Sequence, residues 1–301
     1  MTTSDSSQSR SVAAMVGGAA LLSTSAPWVR IAEVSPSAAG FYRMLVGSAA
    51  LFVLCRATDR RVWRGAAYAL RFLPVAAFFA LDLFLWHRSI HIVGPGLATI
   101  LANLQVFVMA GAGALYFGEK PGWKFAVGLL MALPGLVVLV GVDFGAMQAG
   151  YLGGVALGAG AAVAYSGFLI GMRQAQGVDE TLPPASNLMY ATAWCGLILA
   201  GLVVVEGGSF AVPTLETGGA LVAYGLLCQV GGWFLITGAM PKVPASLVGL
   251  LLLLQPALAM IWDVLFFDRP PRLADLGGAA LVLAGLYLGS LDRRAESTES
   301  S

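Results

Sequence analysis

The sequence predicts an all-α polytopic membrane protein in which ten helices cross the bilayer. Two observations on composition support this fold class: 58% of the residues are hydrophobic and only 11% are charged, whereas an average soluble domain carries about 25% charged residues. A third observation is that the charged residues separate apolar stretches that are long enough to span a bilayer. The net charge of +1 and the three cysteines exclude a disordered chain, a nucleic-acid binder and a secreted disulfide scaffold.

Eight of the apolar stretches contain no charged residue, and two more contain one charge each. Their hydrophobic residues do not alternate every second position, which argues against a β-barrel. The polar ends of the chain, 1–10 and 292–301, are expected to be tails, and no room remains for a soluble domain. The ten predicted helices lie at residues 11–29, 34–55, 72–87, 92–118, 125–142, 144–172, 181–205, 217–241, 243–262 and 276–291.

The first helix is expected to be retained in the mature protein. It follows a polar segment with a single basic residue, Arg10, and nine further spans come after it, unlike a cleaved signal peptide. Basic residues in the loops then predict the orientation. With a cytoplasmic N-terminus, the cytoplasmic side holds twelve Lys and Arg residues and the other side holds four. We therefore expect both termini to be cytoplasmic, in a protein of the inner (plasma) membrane.

The chain resembles itself at an offset of 150 residues. Gln105 matches Gln255 and Pro121 matches Pro271, in a register that runs over about forty residues without a gap. Because five helices per half is an odd number, the two halves must enter the membrane in opposite directions. The sequence therefore predicts two inverted five-helix repeats around a central cavity, an architecture typical of secondary transporters. The predicted repeats are residues 11–142 and 143–291.

Residues at equivalent positions of the two repeats also carry a family resemblance. The pattern consists of Leu104-Gln105-Val106-Phe107, Glu119, Gly128 and Gly135 in the first half, and Leu254-Gln255-Pro256-Ala257, Gly278 and Gly285 in the second. It resembles the EamA-type motif of the drug/metabolite transporter (DMT) superfamily over nearly the whole chain. The sequence departs from that motif at Val106, where proline is usual, and at Arg269, where an acidic residue is usual.

The length, the intramembrane aromatic residues and Asp82 in the third helix make the chain similar to YddG-type amino-acid exporters of this superfamily. The inverted repeats predict alternating access of the cavity, and the resemblance implies export of small neutral metabolites, with amino acids first and aromatic ones included. It also implies a protein that is not an enzyme. The expected partners are the lipid bilayer and a small-molecule substrate, and a monomer is favoured.

Two charged residues at membrane depth are candidates for the site. A charge there costs about 2.5–3.5 kcal/mol on insertion scales, so it is a functional candidate by default. At about 1.5 Å per residue, Arg43 and Asp82 lie roughly 9–13 Å below the outer surface on consecutive helices. Three interpretations remain open: an ion pair that fixes helix packing, a gate at the outer mouth, or a site where Arg43 binds the carboxylate and Asp82 the amine of a zwitterion. Asp82 is also a candidate proton carrier.

Polar and aromatic residues four positions apart share helix faces in several spans. Such pairs are typical of helix–helix packing, but in mid-span they also favour an aromatic-lined cavity for a substrate with an apolar side chain. With Arg43 and Asp82, the predicted cavity residues are Phe78, Trp86, Thr99, Asn103, Gln105, Tyr165, Tyr190, Trp194, Gln229, Trp233 and Gln255.

No metal or cofactor is predicted. His87 and His91 lie four apart, but no third ligand is near them in the sequence. Alternative functions are transport of sugar phosphates, nucleotide sugars or drug cations, and activity as a membrane-embedded lipid enzyme or scramblase. Phosphate recognition needs several basic residues, and Arg43 is the one basic residue in mid-span. A lipid enzyme needs a cluster of His, Asp or Glu at one interface, which the sequence does not offer.

Overall fold

The structure is a computed structural model, which describes residues 3–58, 64–140, 150–177, 184–266 and 272–299. Within these ranges, all regular secondary structure is helical. Nine helices there are long and apolar enough to cross a membrane, and a shorter apolar helix lies at Trp123–Val138. The predicted all-α polytopic fold is confirmed. The predicted boundary between the repeats, at 142–143, and the unusual Arg269 lie outside the described residues.

The helix bounds follow the apolar stretches closely. The membrane-crossing parts are α1 Gln8–Ala32, α2 Pro36–Ala57, α3 Ala66–Val93, α4 Leu97–Tyr116, α5 Trp123–Val138, α6 Tyr151–Gln176, α7 Pro184–Val205, α8 Leu215–Lys242, α9 Ala245–Phe266 and α10 Leu273–Leu291. The helical backbone begins at Thr3 and ends at Glu299, so most of the two predicted tails extends the first and last helices.

Local sequence explains where several helices begin. Ser35 precedes α2, its hydroxyl accepts a hydrogen bond from the Ala38 N–H at 3.3 Å, and Pro36 occupies the first turn. At the start of α10, the Arg272 guanidinium donates to Asp275 at 2.7 Å. This hydrogen bond and the carboxylate charge raise the pKa of Arg272.

Two helices are interrupted at closely corresponding places in the repeats, one residue apart in the 150-residue register. α4 breaks at Leu104 and α9 breaks at Leu253, and each of these residues donates its N–H three residues back, at 3.1 Å. In both helices the break directly precedes the Gln105 or Gln255 region. Interrupted helices in corresponding positions of two repeats are typical of transporter binding sites.

Contacts between the helices follow a twofold symmetry that exchanges the repeats. α2 packs on α7, α4 on α9 and α5 on α10, so each of these helices contacts its own counterpart. α3 packs on α6, and the equivalent pair, α8 and α1, is formed as well. Because each repeat has an odd number of spans, the repeats are antiparallel and the pseudo-twofold axis lies in the membrane plane.

Glycines bring α5 and α10 into close contact along this axis. A Cβ at Gly128 would lie 2.5 Å from the Gly285 carbonyl oxygen, and a Cβ at Gly135 would lie 2.8 Å from the Gly278 carbonyl oxygen. The 150-residue offset turns the first of these contacts into the second. No side chain fits at either point, so these glycines allow the two backbones to touch.

Candidate functional site

A cavity of about 440 Å³ lies between helices of both repeats, within the range of about 300–1,000 Å³ that is usual for small-molecule sites. We call the side of the molecule that carries both chain ends the terminal face, and the opposite side the far face. The cavity is lined by Pro36 at the start of α2 and His87 near the end of α3. Both places are at the far face, so the cavity lies toward that face.

Arg43 is held in the cavity wall by neutral side chains. It is only 6% exposed, and its Nε donates to Gln229 Oε1 at 2.9 Å while Nη1 donates to the Tyr224 hydroxyl at 3.1 Å. Gln229 in turn donates from Nε2 to Thr192 Oγ1 at 2.8 Å. These contacts fix the guanidinium without neutralising its charge.

The backbone of α8 places Gln229 and Tyr224 on the same side. Residues Tyr224–Gly232 form a π-helix, whose hydrogen bonds join positions five apart and whose wider turn brings such positions nearer to one face than an α-helix does. A Cβ at Gly47 of α2 would lie 2.5 Å from Gln229 Cγ. This short distance shows that α2 approaches the π-helical segment closely. The π-helix and the glycine together allow two α8 side chains to bind one guanidinium.

Asp82 lines the same cavity from α3 and is partly exposed to it. Within the described ranges, its carboxylate makes no hydrogen bond or ion pair, and the hydrogen bonds of Arg43 go to neutral partners. The two charges therefore share a cavity without forming the ion pair that one interpretation of the sequence proposed.

Aromatic rings close the inner end of the cavity. Phe79 stacks on Phe168 with ring centroids 4.4 Å apart, and Trp233 meets Phe168 edge-on at 4.8 Å. Tyr165 packs on Trp233 at 6.2 Å. Trp233 is 1% exposed, and its indole N–H has no hydrogen-bond partner among the described residues. Trp233 lines the cavity, and leaving its buried donor without a partner costs about 1–3 kcal/mol.

The structure brings eight of the thirteen predicted site residues together. The cavity is lined by Arg43, Asp82, Trp86, Thr99, Asn103, Tyr165, Trp233 and Gln255.

Five predicted residues do not line the cavity. Phe78 lies in a separate cleft of about 500 Å³ beside α6, one turn below Asp82 and nearer the terminal face. Tyr190 stacks on Phe72, and the Trp194 indole donates to the Ala69 carbonyl at 2.8 Å. Spacing along the helix predicted which helix face carries each of these three side chains but not its depth. All three lie nearer the terminal face than the aromatic rings that close the cavity.

Gln105 and Gln229 are the other two predicted residues that do not line the cavity. Gln105 is buried between α4 and α9, where its Nε2 donates to the Gly249 carbonyl at 3.0 Å. Gln229 accepts a hydrogen bond from Arg43 but does not itself line the cavity. Tyr224, Phe79 and His87 also line the cavity and were not predicted. Tyr224 and Gln229 are five apart, so a search at α-helical spacing does not pair them.

Polar contacts join the end of α4 to the start of α9 at the terminal face, beneath this cavity. Glu119, at the end of α4, accepts hydrogen bonds from the Ala245 N–H at 2.6 Å, the Ser246 N–H at 3.0 Å and the Ser246 hydroxyl at 2.7 Å. The carboxylate thereby caps the N-terminus of α9. Arg173 donates to the Val243 carbonyl at 2.8 Å and lies 3.9 Å from Glu119. We call these contacts the Glu119 clasp.

The fold and the cavity define a polytopic membrane protein with an inverted repeat around a central chamber. The model of the EamA-like transporter family matches residues 9–141 and, a second time, residues 152–291. The chain belongs to this family, as the motif in the two repeats predicted.

A crystal structure of a protein is among the solved structures that share this fold. It superposes with a TM-score of 0.83 over 96% of this chain and 99% of that chain, at 21% sequence identity. A comparison with curated protein sequences finds no significant match.

Proposed function

We propose that this protein is a secondary transporter that exports small zwitterionic metabolites, amino acids first, by alternating access of the central cavity. The observation that carries the proposal is that Arg43 and Asp82 line one cavity without pairing. Two unpaired opposite charges at membrane depth are costly, and a ligand that carries both opposite charges satisfies them together.

The cavity offers a partner for each part of an amino acid. The Arg43 hydrogens that Gln229 and Tyr224 do not use are available to a carboxylate. Asp82 is available to the ammonium group. The aromatic rings of the wall and floor suit an apolar or aromatic side chain.

Uptake into liposomes that contain the purified protein tests this proposal. We expect a panel of amino acids, tested with and without a pH gradient, to show flux above empty liposomes, and aromatic ones to be among the substrates. A gradient effect that Asp82→Asn abolishes would assign proton coupling to Asp82. Flux equal to that of empty liposomes across the panel contradicts the proposal.

Charge removal tests the assigned residues. Arg43→Gln and Asp82→Asn should each weaken apparent affinity roughly ten- to hundredfold, because a hydrogen bond to a charged group contributes about 1.5–3 kcal/mol. Arg88→Gln is the matched control, since Arg88 is paired with Glu206 at 3.6 Å and does not line the cavity. Full flux in both cavity variants would show that these residues do not bind substrate.

Organic phosphates are a second candidate class, because Arg30 and His87 also line the cavity. Phosphate groups are bound by several converging donors, and the carboxylate of Asp82 opposes them. A phosphorylated solute in the same panel should therefore be carried more slowly than an amino acid. Faster flux of the phosphorylated solute would make anion transport the better assignment.

A further inference from the structure

The contact between α4 and α9 is open in one half of its length and closed in the other. On the open side, the cavity is lined from these two helices by Thr99, Ala102, Asn103, Gln255, Pro256 and Ala259. The 150-residue offset relates these residues, in the same order, to Gly249, Leu252, Leu253, Gln105, Val106 and Met109. All six counterparts are buried. We call the contact formed by these six buried counterparts the seam. Equivalent positions of α4 and α9 therefore line the cavity on the open side and form the seam on the closed side.

The seam shows what the closed arrangement looks like. Gln105 donates to the Gly249 carbonyl at 3.0 Å. A Cβ at Gly249 would lie 2.8 Å from Met109 Cβ, so the helices touch there. On the open side, the Thr99 carbonyl accepts a hydrogen bond from Asn103 Nδ2 at 2.8 Å. The counterpart of the bond from Gln105 to Gly249 would run from Gln255 to the Thr99 carbonyl. These two described residues do not form it.

We infer that the seam is a second, latent face of the binding site, which opens toward the terminal face when the far-face cavity closes. Gln255 then donates to the Thr99 carbonyl, and Gln105 leaves Gly249 to line the new cavity. This inference rests on the alternating access proposed above. It identifies Gln105 as a substrate contact in the alternate state, although Gln105 is shut away from the present cavity.

An unpartnered atom in the seam supports this role independently. Gln105 is 0% exposed, and its Oε1 has no hydrogen-bond partner among the described residues. Leaving a buried acceptor unsatisfied costs about 1–3 kcal/mol. An opened seam would let this carbonyl oxygen accept a hydrogen bond from the ammonium group of a zwitterion.

The Glu119 clasp explains why the far face is the open one here. It ties the end of α4 to the start of α9 at the terminal face through three hydrogen bonds to a carboxylate. The equivalent position in the second repeat is Arg269, which has no carboxylate with which to cap a helix. The sequences of the two repeats therefore differ at the position of this capping carboxylate.

Thiol accessibility tests the inference without any substrate. Gln105→Cys would be prepared with Cys55, Cys195 and Cys228 replaced by alanine, and treated with a membrane-impermeant maleimide in vesicles of either orientation. Minor conformations are commonly populated at about 0.1–10%. We therefore expect slow labelling from the terminal face, and faster labelling when Glu119→Gln weakens the clasp. The control is Leu250→Cys, because Leu250 is equally buried but packs on Gly289 of α10.

A cysteine pair tests closure of the far face and keeps the test valid if Gln105→Cys fails to fold. Thr99 and Ala259 are the counterparts of Gly249 and Met109, so Thr99→Cys with Ala259→Cys should form a disulfide on mild oxidation. The control pair is Ala26→Cys with Thr99→Cys, and both residues line the cavity. This pair should not form a disulfide, because the symmetry does not bring α1 and α4 together.

The outcomes separate this inference from the proposed function. Labelling of Gln105→Cys no faster than Leu250→Cys, or labelling from the far face only, overturns the inference, and so does absence of the Thr99–Ala259 cross-link. Amino-acid flux with neither signal overturns the inference alone. Both signals without amino-acid flux would retain the latent face and reject the amino-acid substrate.

Discussion

At the scale of single residues, the surroundings of Arg43 determine what the cavity is able to bind. Its partners Gln229 and Tyr224 are neutral, so the guanidinium keeps its full charge toward the cavity. An acidic partner in either place would neutralise this charge and compete with a carboxylate ligand. Gln229 is therefore a positioning residue, which acts on the ligand through Arg43.

Gln229→Leu should separate positioning from folding. The change leaves Arg43 Nε and Thr192 without their partner, which costs about 1–3 kcal/mol. We expect a lower melting temperature in detergent and a raised KM for an amino acid. Gln174→Leu, an exposed position in the separate cleft beside α6, should change neither. An unaltered KM in Gln229→Leu would show that Arg43 does not need this partner to bind ligand.

Single residues also show how far sequence alone predicts the site. Arg43 and Asp82 were predictable because a charge is costly at membrane depth. Tyr190 and Trp194 were not correctly placed, because helical spacing gives the face of a side chain but not its depth relative to a cavity floor. Tyr224 was missed because it reaches Arg43 through a π-helix, which spacing for an α-helix does not anticipate.

At the scale of helices, the apolar stretches between charges predicted the spans well, since bilayer thickness fixes helix length. The breaks at Leu104 and Leu253 were not predicted. Only the second is followed by a proline, three residues later at position 256. The first occurs with Val106 in the equivalent place, so packing between α4 and α9 sustains it without a proline.

The contact between α5 and α10 leads to a stability prediction. Gly128→Ala would force a Cβ to within 2.5 Å of the Gly285 carbonyl oxygen, and overpacking of this kind costs about 1–3 kcal/mol. Thermal unfolding in detergent should show a lower midpoint for this variant. Gly111→Ala is the matched control, because its Cβ would meet no atom within 4 Å. Equal midpoints for Gly128→Ala and the wild type would contradict the close helix contact.

At the scale of the whole molecule, the 150-residue offset predicted the inverted repeat, and the exchange of the Gly128 and Gly135 contacts agrees with it. The sequence did not predict which face is open, because two pseudo-symmetric repeats have two related packings and the sequence pattern fits both. The cap that Glu119 forms on α9 could not be predicted either, because Glu119 and α9 belong to different repeats.

Competition by charge-deleted analogues tests most directly whether one cavity binds both ends of a zwitterion. In liposome flux measurements, phenylalanine should compete at least about tenfold better than phenethylamine, which lacks the carboxylate, or 3-phenylpropionate, which lacks the ammonium group. Arg43→Gln should abolish the preference over phenethylamine, and Asp82→Asn the preference over 3-phenylpropionate. Equal competition by all three compounds in the wild-type protein would contradict the account.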